Sequence, residues 1–408
     1  MSKLKNYFRL LGEKDFLVLI STLLLGQIAS AFLVLALITS VFTKTGSNFG
    51  VSGVILSLSS PALVVMIISG IFSDLFDRKK IIIYANLFIT LVVFVLLAFF
   101  HNVFASILLS FLYFAGNSFF LPAISAASAQ IVKKEELSFA NSLFFFSLAG
   151  GQIFGFFIAA VVQFVFGNYM LIVVCAVLLT AAAILPMFLP PLPPRKKNIV
   201  SFALAVFDIF RAFTFIFKSR TIWFYFVILA SSQGIVAFAA TLTPGFFDRI
   251  LGIPAEKSPL LIFPLAALGL VGGTMFTHRP KINESYWVMV GLGGLGAAAA
   301  VVGILYKFNF DSWVNVLIVV IFLLLEPFFM ITIMIAARTV LQRRVPHNYQ
   351  GTVFGANFVL AALFATIMSP FAATIVTLFG YLNVLTYLGF MVFVIAVVIS
   401  FMRAKWRF

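Results

Sequence analysis

Long uninterrupted runs of apolar residues, separated by short polar stretches, make up almost all of this 408-residue chain. A membrane-crossing helix needs about 20 mostly apolar residues. The runs are continuous, as from Leu87 to Phe100, which predicts helices rather than the alternating strands of a membrane barrel. We therefore expect an all-α membrane protein with twelve transmembrane helices, at approximately 16–42, 50–73, 81–100, 104–132, 138–166, 168–190, 221–247, 258–277, 285–306, 312–341, 351–379 and 381–402.

The composition agrees with a chain that lies in a bilayer. It is 63% hydrophobic and 10% charged, whereas a soluble domain is about half apolar and a quarter charged. Of the 27 Lys and Arg residues, 23 fall on one side of the predicted membrane, and the other side has only Lys44, Arg249, Lys257 and Lys307. The positive-inside rule then predicts a multi-pass protein of the cell (plasma or inner) membrane with both termini in the cytoplasm.

This sorting also gives the net charge of +15 a meaning. In a soluble protein such a charge would indicate a nucleic-acid partner. Here the basic residues lie at the cytoplasmic membrane surface, where they meet anionic lipids. We expect membrane lipids, and no nucleic acid, as partners.

The longest cytoplasmic connection divides the twelve spans into six and six. It begins with a proline cluster at Pro190 and continues through basic residues into a Phe-rich stretch at 199–217, which predicts an amphipathic helix on the membrane surface. The predicted domains are an N-terminal six-helix bundle at 1–190, a linker with the amphipathic helix at 191–220, and a C-terminal six-helix bundle at 221–408.

An internal repeat supports that division. The offset is 212 residues for the first matching pair and 213 for the last. Two related bundles are a common transporter plan, with the substrate site between them near the bilayer midplane. The matching residues are Gln130, Asn141 and Gly167 in the first half and Gln342, Asn357 and Gly380 in the second.

The connection between the second and third spans carries a distinctive motif, G-I-F-S-D-L-F-D-R-K, from Gly70 to Lys79. It resembles the signature loop of the major facilitator superfamily in its Gly-x-x-x-Asp-x-x-Asp-Arg-Lys form. Together with Ser60 to Leu63, it is similar to the macrolide-efflux-like branch of the drug:proton antiporters. The resemblance implies two pseudo-symmetric six-helix bundles and a cytoplasmic gate built from Gly70, Asp74, Asp77, Arg78 and Lys79.

Asp74 is the candidate latch within this loop. A carboxylate there is placed to meet the positive end of the dipole of the eleventh span, near Gly351 and Thr352, which contributes about 0.3 to 2 kcal/mol. The alternative is that Asp77 to Lys80 merely anchor the loop and set the topology.

Small residues recur at every fourth position of the fifth span, at Gly151, Gly155 and Ala159. Such a stripe predicts close helix packing. It also partly resembles the antiporter motif of that span, although Phe156 stands where the motif has proline. Packing and the antiporter motif therefore remain alternative interpretations of the stripe.

Glu326 is the acidic residue that points most directly to a mechanism. Of the twelve Asp and Glu residues, eleven lie in connections or at span ends, and Glu326 lies in the middle of the tenth span. An ionised carboxylate at that depth costs at least about 2.5 to 3.5 kcal/mol. Pro327 follows directly and removes a backbone donor at the same level. We expect Glu326 to couple transport to protons.

The resemblance also implies that spans one, four, seven and ten line a central cavity. Each has a polar residue near its midpoint. Tyr113 shares a helical face with Asn117, and two further amides border the cavity. The alternative is that the amides only bridge helices, at about 0.6 kcal/mol each. The predicted cavity residues, besides Glu326, are Gln27, Tyr113, Asn117, Gln152, Gln233 and Asn357.

These observations favour a secondary transporter over an enzyme. The sequence has no cluster of His, Cys or acids at metal-ligand spacing and no phosphate-binding loop, so we expect no cofactor, metal or catalytic residue. The predicted activity is proton-coupled efflux of amphiphilic or lipophilic compounds, multidrug or macrolide-like, by a monomer working through alternating access. The alternatives are an exporter or importer of lipids, siderophores or other metabolites, and a membrane receptor or scaffold that transports nothing.

Overall fold

The computed structural model describes residues 9–133, 136–193, 216–277, 284–308 and 310–406. Within these ranges the chain forms eleven α-helices long and apolar enough to cross a membrane, and no strand. In chain order they are α1 (Lys14–Thr45), α2 (Asn48–Leu75), α3 (Arg78–Phe99), α4 (Val103–Ile131), α5 (Leu137–Ile184), α6 (Arg220–Ile250), α7 (Ser258–Thr277), α8 (Glu284–Leu305), α9 (Ser312–Arg344), α10 (His347–Phe379) and α11 (Tyr381–Trp406).

Helix α5 supplies two of the predicted crossings. It has 48 residues, which at 1.5 Å per residue is about 72 Å, more than twice the roughly 30 Å hydrocarbon core. Gly167 interrupts it with φ 80° and ψ 177°, a conformation that is essentially restricted to glycine. Within the described residues, the two arms of α5 and the other ten helices give the twelve crossings that the sequence predicts.

Gly380 occupies the same backbone conformation between α10 and α11, with φ 77° and ψ 159°. The sequence repeat pairs this residue with Gly167. The repeat is therefore confirmed at this pair, because each half turns between its last two crossings on a glycine in a conformation that other residues avoid.

A buried polar network holds the bend of α5 against α1. The Gln163 side-chain amide donates to Thr39 Oγ1 (2.8 Å) and to Asn168 Oδ1 (2.6 Å), and the Thr39 hydroxyl lies 2.9 Å from the same Asn168 oxygen. Gln163 precedes Gly167 and Asn168 follows it, so the network joins both arms of α5 to one helix.

The small-residue stripe of α5 lies against α1 as well. A Cβ atom on Gly151 would lie 2.9 Å from Cβ of Gln27, and one on Gly155 would lie 2.9 Å from Cα of Ile28. Real Cβ contacts are longer, so only glycine permits this approach. The close packing predicted from the stripe is confirmed.

The chain divides into two compact units. Unit 1 comprises Met1–Gly46 and Gly53–Val206, and unit 2 comprises Ser47–Ser52 and Phe207–Phe408. The first residues of α2 thus belong to unit 2. Most of the predicted linker and its amphipathic helix lies outside the described residues, so the bounds 1–190, 191–220 and 221–408 stay a prediction.

Each unit has its own apolar core. In unit 1 the core includes the fully buried side chains of Phe16 and Leu23. In unit 2 the corresponding cluster includes Phe226, Ile333 and Ala337. The second core lies along α6 and α9, the helices that supply part of the cavity described next.

Candidate functional site

Unit 2 contains a cavity of about 330 Å³ among its helices. Ligand pockets are commonly about 300 to 1,000 Å³. Helices α6 to α11 all contribute to its walls, and 21 of the 24 lining residues have no polar side-chain group. The three that do are Thr243, Glu326 and Tyr381.

Two of these three polar groups already have partners. The Thr243 hydroxyl donates to the carbonyl of Ala239 (2.7 Å), one turn earlier in its own helix. The Tyr381 hydroxyl accepts a hydrogen bond from the side-chain amide of Asn48 (2.8 Å). No hydrogen bond or ion pair engages the Glu326 carboxyl within the part of the chain that the structure describes. Glu326 is therefore the group in the cavity wall that remains available to a ligand or a proton.

Glu326 faces the cavity because of its position on α9. Val319, Phe322 and Leu323 also line the cavity, and they precede Glu326 by seven, four and three residues. Residues at these spacings share one face of an α-helix. The carboxyl group therefore projects from an apolar helical face.

The opposite side of α9 packs closely against α7. A Cβ atom on Gly269 would lie 2.8 Å from Cγ of Pro327 and would also contact the carbonyl oxygen of Leu324. Gly273 similarly approaches the carbonyl oxygen of Phe328. These two glycines hold the segment around Glu326 from behind.

Pro327 lies inside α9, and the helix continues through it from Ser312 to Arg344. Proline has no N–H, so the Leu323 carbonyl loses its usual donor four residues later. This backbone acceptor lies one helical turn before Pro327, close in sequence to the Glu326 carboxyl.

The remaining residues predicted to line a central cavity are divided between the units. In unit 1, Gln27 and Tyr113 are buried, at 4% and 2% exposure, while Asn117 is partly buried and Gln152 is exposed. Tyr113 lies beside Ser30 in the interior of the unit. None of the four lines the described cavity, and their meeting in a shared central cavity stays a prediction.

The two predicted residues in unit 2 besides Glu326 differ from each other. Gln233 of α6 is exposed. Asn357 is buried, and its side-chain amide donates to the carbonyl of Phe226 (2.8 Å). Asn357 therefore bridges α10 and α6, which is the structural alternative considered for these amides.

The loop between α2 and α3 makes its described contacts inside unit 1. Asp77 caps α3 by accepting from the backbone N–H of Lys79 (2.9 Å) and also accepts from that of Leu192 (3.1 Å). The buried Arg78 donates to the Gln130 side chain (2.7 Å) and to the carbonyl of Pro193 (3.2 Å).

Lys79 contributes to the same cluster by donating to the carbonyl of Leu189. These bonds tie the loop to the ends of α4 and of the sixth crossing. Gly70 and Asp74 belong to the end of α2, and the structure does not describe their surroundings, so the predicted gate is not tested.

Several cavity-lining residues carried no signal in the sequence. Phe238, Phe246, Phe322 and Phe371 line the cavity, but they are four of the chain's 53 phenylalanines. An aromatic residue that lines a cavity and one that faces lipid look alike in a uniformly apolar segment. Only Glu326 stood out, because a carboxylate is costly at that depth.

Comparison with known proteins places this architecture in a family. Residues 16–369 match the Major Facilitator Superfamily. Among curated proteins, no sequence matches the chain.

Solved structures show the same fold at low sequence identity. The nucleoside transporter NupG is 14% identical with a TM-score of 0.72, covering 96% of this chain and 99% of its own. The POT family transporter PepTSo is 12% identical with a TM-score of 0.74, covering 96% and 98%. A POT family transporter in complex with a thioalcohol-conjugated peptide is 11% identical with a TM-score of 0.75, covering 96% of each chain.

Proposed function

Since the chain belongs to the major facilitator superfamily, and so is a membrane transporter and not an enzyme, we propose that it exports amphiphilic or lipophilic compounds in exchange for protons. The observation that carries this proposal is Glu326, an acidic residue without a described partner in the wall of an apolar cavity. Such a group in a membrane-spanning helix marks a substrate or proton pathway by default.

The proposed cycle uses the cost of an ionised carboxylate in an apolar wall. With the cavity closed to water, the protonated form of Glu326 is favoured, because the charged form costs at least about 2.5 to 3.5 kcal/mol at this depth. A substrate that binds in the cavity while it is open to the cytoplasmic side displaces the proton. A movement of the two units then opens the cavity to the outside. The substrate leaves, and Glu326 is reprotonated from that side.

The chemistry of the walls supports a lipophilic substrate. Polar ligands such as nucleosides or peptides need several placed donors and acceptors. Of the three polar side chains in the cavity wall, Thr243 and Tyr381 are already engaged, which leaves the Glu326 carboxyl. A single carboxyl also suits neutral or cationic compounds better than anions.

The proposal includes an orientation and a gate. The protein spans the cell membrane with both termini in the cytoplasm, and it works as a monomer. On that side, Asp77, Arg78 and Lys79 fix the α2–α3 loop on unit 1, which leaves Asp74 as the residue that latches the closed state.

The first experiment identifies the substrate. Cells that overexpress the gene and cells that lack it are screened for growth against diverse toxic compounds, with wild-type cells alongside. Overexpression should protect, and deletion should sensitise, against lipophilic compounds. Protection confined to polar metabolites would instead favour a metabolite carrier of the same fold, and no change for any compound would favour a receptor or scaffold.

The compound found in this way then tests the coupling. Everted vesicles are loaded with a pH-sensitive dye, and proton release is followed after the compound is added. Wild-type protein should release protons, and the Glu326→Gln variant, which has an amide of similar shape that cannot ionise, should not. Equal release from both would exclude Glu326 as the coupling group.

A further inference from the structure

Two residues that line the cavity in unit 2 are also open to the surroundings. Phe371 of α10 and Met391 of α11 belong to the lining, yet 44% and 50% of their surfaces are exposed. Most other lining residues are buried or partly buried. A side chain that contacts the cavity on one side and the surroundings on the other lies at the mouth of that cavity.

The mouth lies at the depth of the hydrocarbon chains of a bilayer. Phe371 precedes Phe379, the end of α10, by eight residues, and Met391 follows Tyr381, the start of α11, by ten. At 1.5 Å per residue they are roughly 12 and 15 Å from the turn at Gly380. The hydrocarbon core is about 30 Å thick, so both side chains lie inside it and not at the membrane surface.

The side of α11 that faces α8 packs closely and holds the helix in place. A Cβ atom on Gly296 of α8 would lie 2.5 Å from the backbone N of Phe393, and one on Gly389 would lie 2.7 Å from the carbonyl oxygen of Gly296. Successive residues of a helix turn by about 100°, so Met391 points roughly 200° away from Gly389. The tight contact with α8 therefore leaves the Met391 side of α11 at the mouth.

We propose that this mouth is a lateral portal between α10 and α11, through which lipophilic compounds dissolved in the bilayer pass into the cavity. The inference rests on the proposed function in taking this cavity as the substrate site. It names the substrate class more closely: compounds that are soluble in hydrocarbon in an uncharged form, since an ionised group would pay the full cost of the membrane interior at this depth.

The two portal residues suit such a role. Methionine is unbranched and flexible, so its side chain adapts to ligands of different shapes. Phenylalanine gives an apolar rim with a flat face. Both residues set which compounds pass and carry no proton themselves, so they are specificity-determining rather than coupling residues.

The test uses a long-chain alkyl diazirine as the probe, dissolved in the lipid of nanodiscs that hold the full-length protein. On illumination it labels nearby side chains, carboxyl groups in particular, and mass spectrometry measures the adduct on Glu326. The wild-type protein should be labelled there. Phe371→Trp combined with Met391→Trp should narrow the portal and lower the rate of labelling about tenfold.

Val398→Trp is the matched control. Val398 lies on α11 and is 49% exposed, but it does not line the cavity, so labelling should stay at the wild-type rate. If the tryptophan pair does not fold, Met391→Ala replaces it, and the wider portal should raise the rate.

An unlabelled Glu326 in the wild type, or a rate that neither portal variant changes, would overturn the portal. The labelling needs no turnover and no proton gradient. A failure of the portal therefore leaves the proton-release measurement unaffected, and a failure of proton coupling leaves the labelling unaffected.

Discussion

Gly269 of α7 lies so close to Pro327 of α9 that a Cβ atom at position 269 would be 2.8 Å from the proline ring. The contact fixes α9 one residue after Glu326. Gly269→Ala should force the helices apart, and overpacking of this kind costs about 1 to 3 kcal/mol. We expect a lower melting temperature in detergent.

Gly272→Ala is the control for this prediction, because its Cβ would lie at an ordinary 3.5 Å from the Phe328 ring. It should leave the melting temperature close to that of the wild type. Equal effects of the two substitutions would show that α7 does not press on α9 at Gly269.

Replacing either turn glycine, Gly167 or Gly380, should lower the free energy of unfolding by a similar amount. Gly167→Ala and Gly380→Ala each place a side chain at φ 80° and 77°, a strain of about 1 to 3 kcal/mol. Thermal unfolding of each variant should show losses of similar size. Gly355→Ala, with nothing within 4 Å of its Cβ, should be neutral, and a comparable loss there would attribute the effect to glycine replacement in general.

Arg78 should matter for stability. Its side chain is buried and bonds to Gln130 and to the Pro193 carbonyl, and hydrogen bonds of a charged group contribute about 1.5 to 3 kcal/mol. Arg78→Ala should lower the melting temperature, whereas Lys80→Ala, at an exposed position, should not. An unchanged melting temperature for Arg78→Ala would mean that these bonds contribute little.

If Asp74 latches the closed state, replacing it should change transport and leave stability unchanged, in contrast to Arg78. Asp74→Asn removes the charge that the proposed latch needs, so we expect slower transport of the identified compound with an unchanged melting temperature. Because Asp77 caps α3, Asp77→Ala serves as the comparison and should reduce stability instead, since alanine cannot accept the capping hydrogen bonds. A fully active Asp74→Asn variant would support the view that the loop only anchors the chain.

The fold could be predicted because its determinants are local. The lengths of the apolar runs indicate the membrane crossings. The distribution of basic residues predicts the orientation of the chain in the membrane. The repeat pairs Gly167 with Gly380 at equivalent turns. Membrane helices can be recognised in this way because the bilayer requires long apolar segments.

Of the residues that line the candidate site, the sequence indicated only Glu326. Its cost at mid-membrane made it visible, whereas Phe238, Phe371 and Met391 are apolar residues among many, and only three-dimensional packing brings them to one cavity. Asn357 illustrates the opposite case: it is as polar as a ligand-binding amide, but its side chain is committed to the Phe226 carbonyl. A sequence shows which polar groups are costly to bury. It does not show which of them form hydrogen bonds in the folded protein.

The most direct test of the central claim compares two modes of transport in proteoliposomes. In one, an outward or inward pH gradient drives accumulation of the compound identified by the growth screen. In the other, labelled and unlabelled compound exchange across the membrane with no gradient. Glu326→Gln should keep the exchange, because the cavity and its access are intact, and should lose the accumulation driven by the pH gradient. If Glu326→Gln still accumulates the compound in response to the gradient as the wild type does, Glu326 does not couple transport to protons.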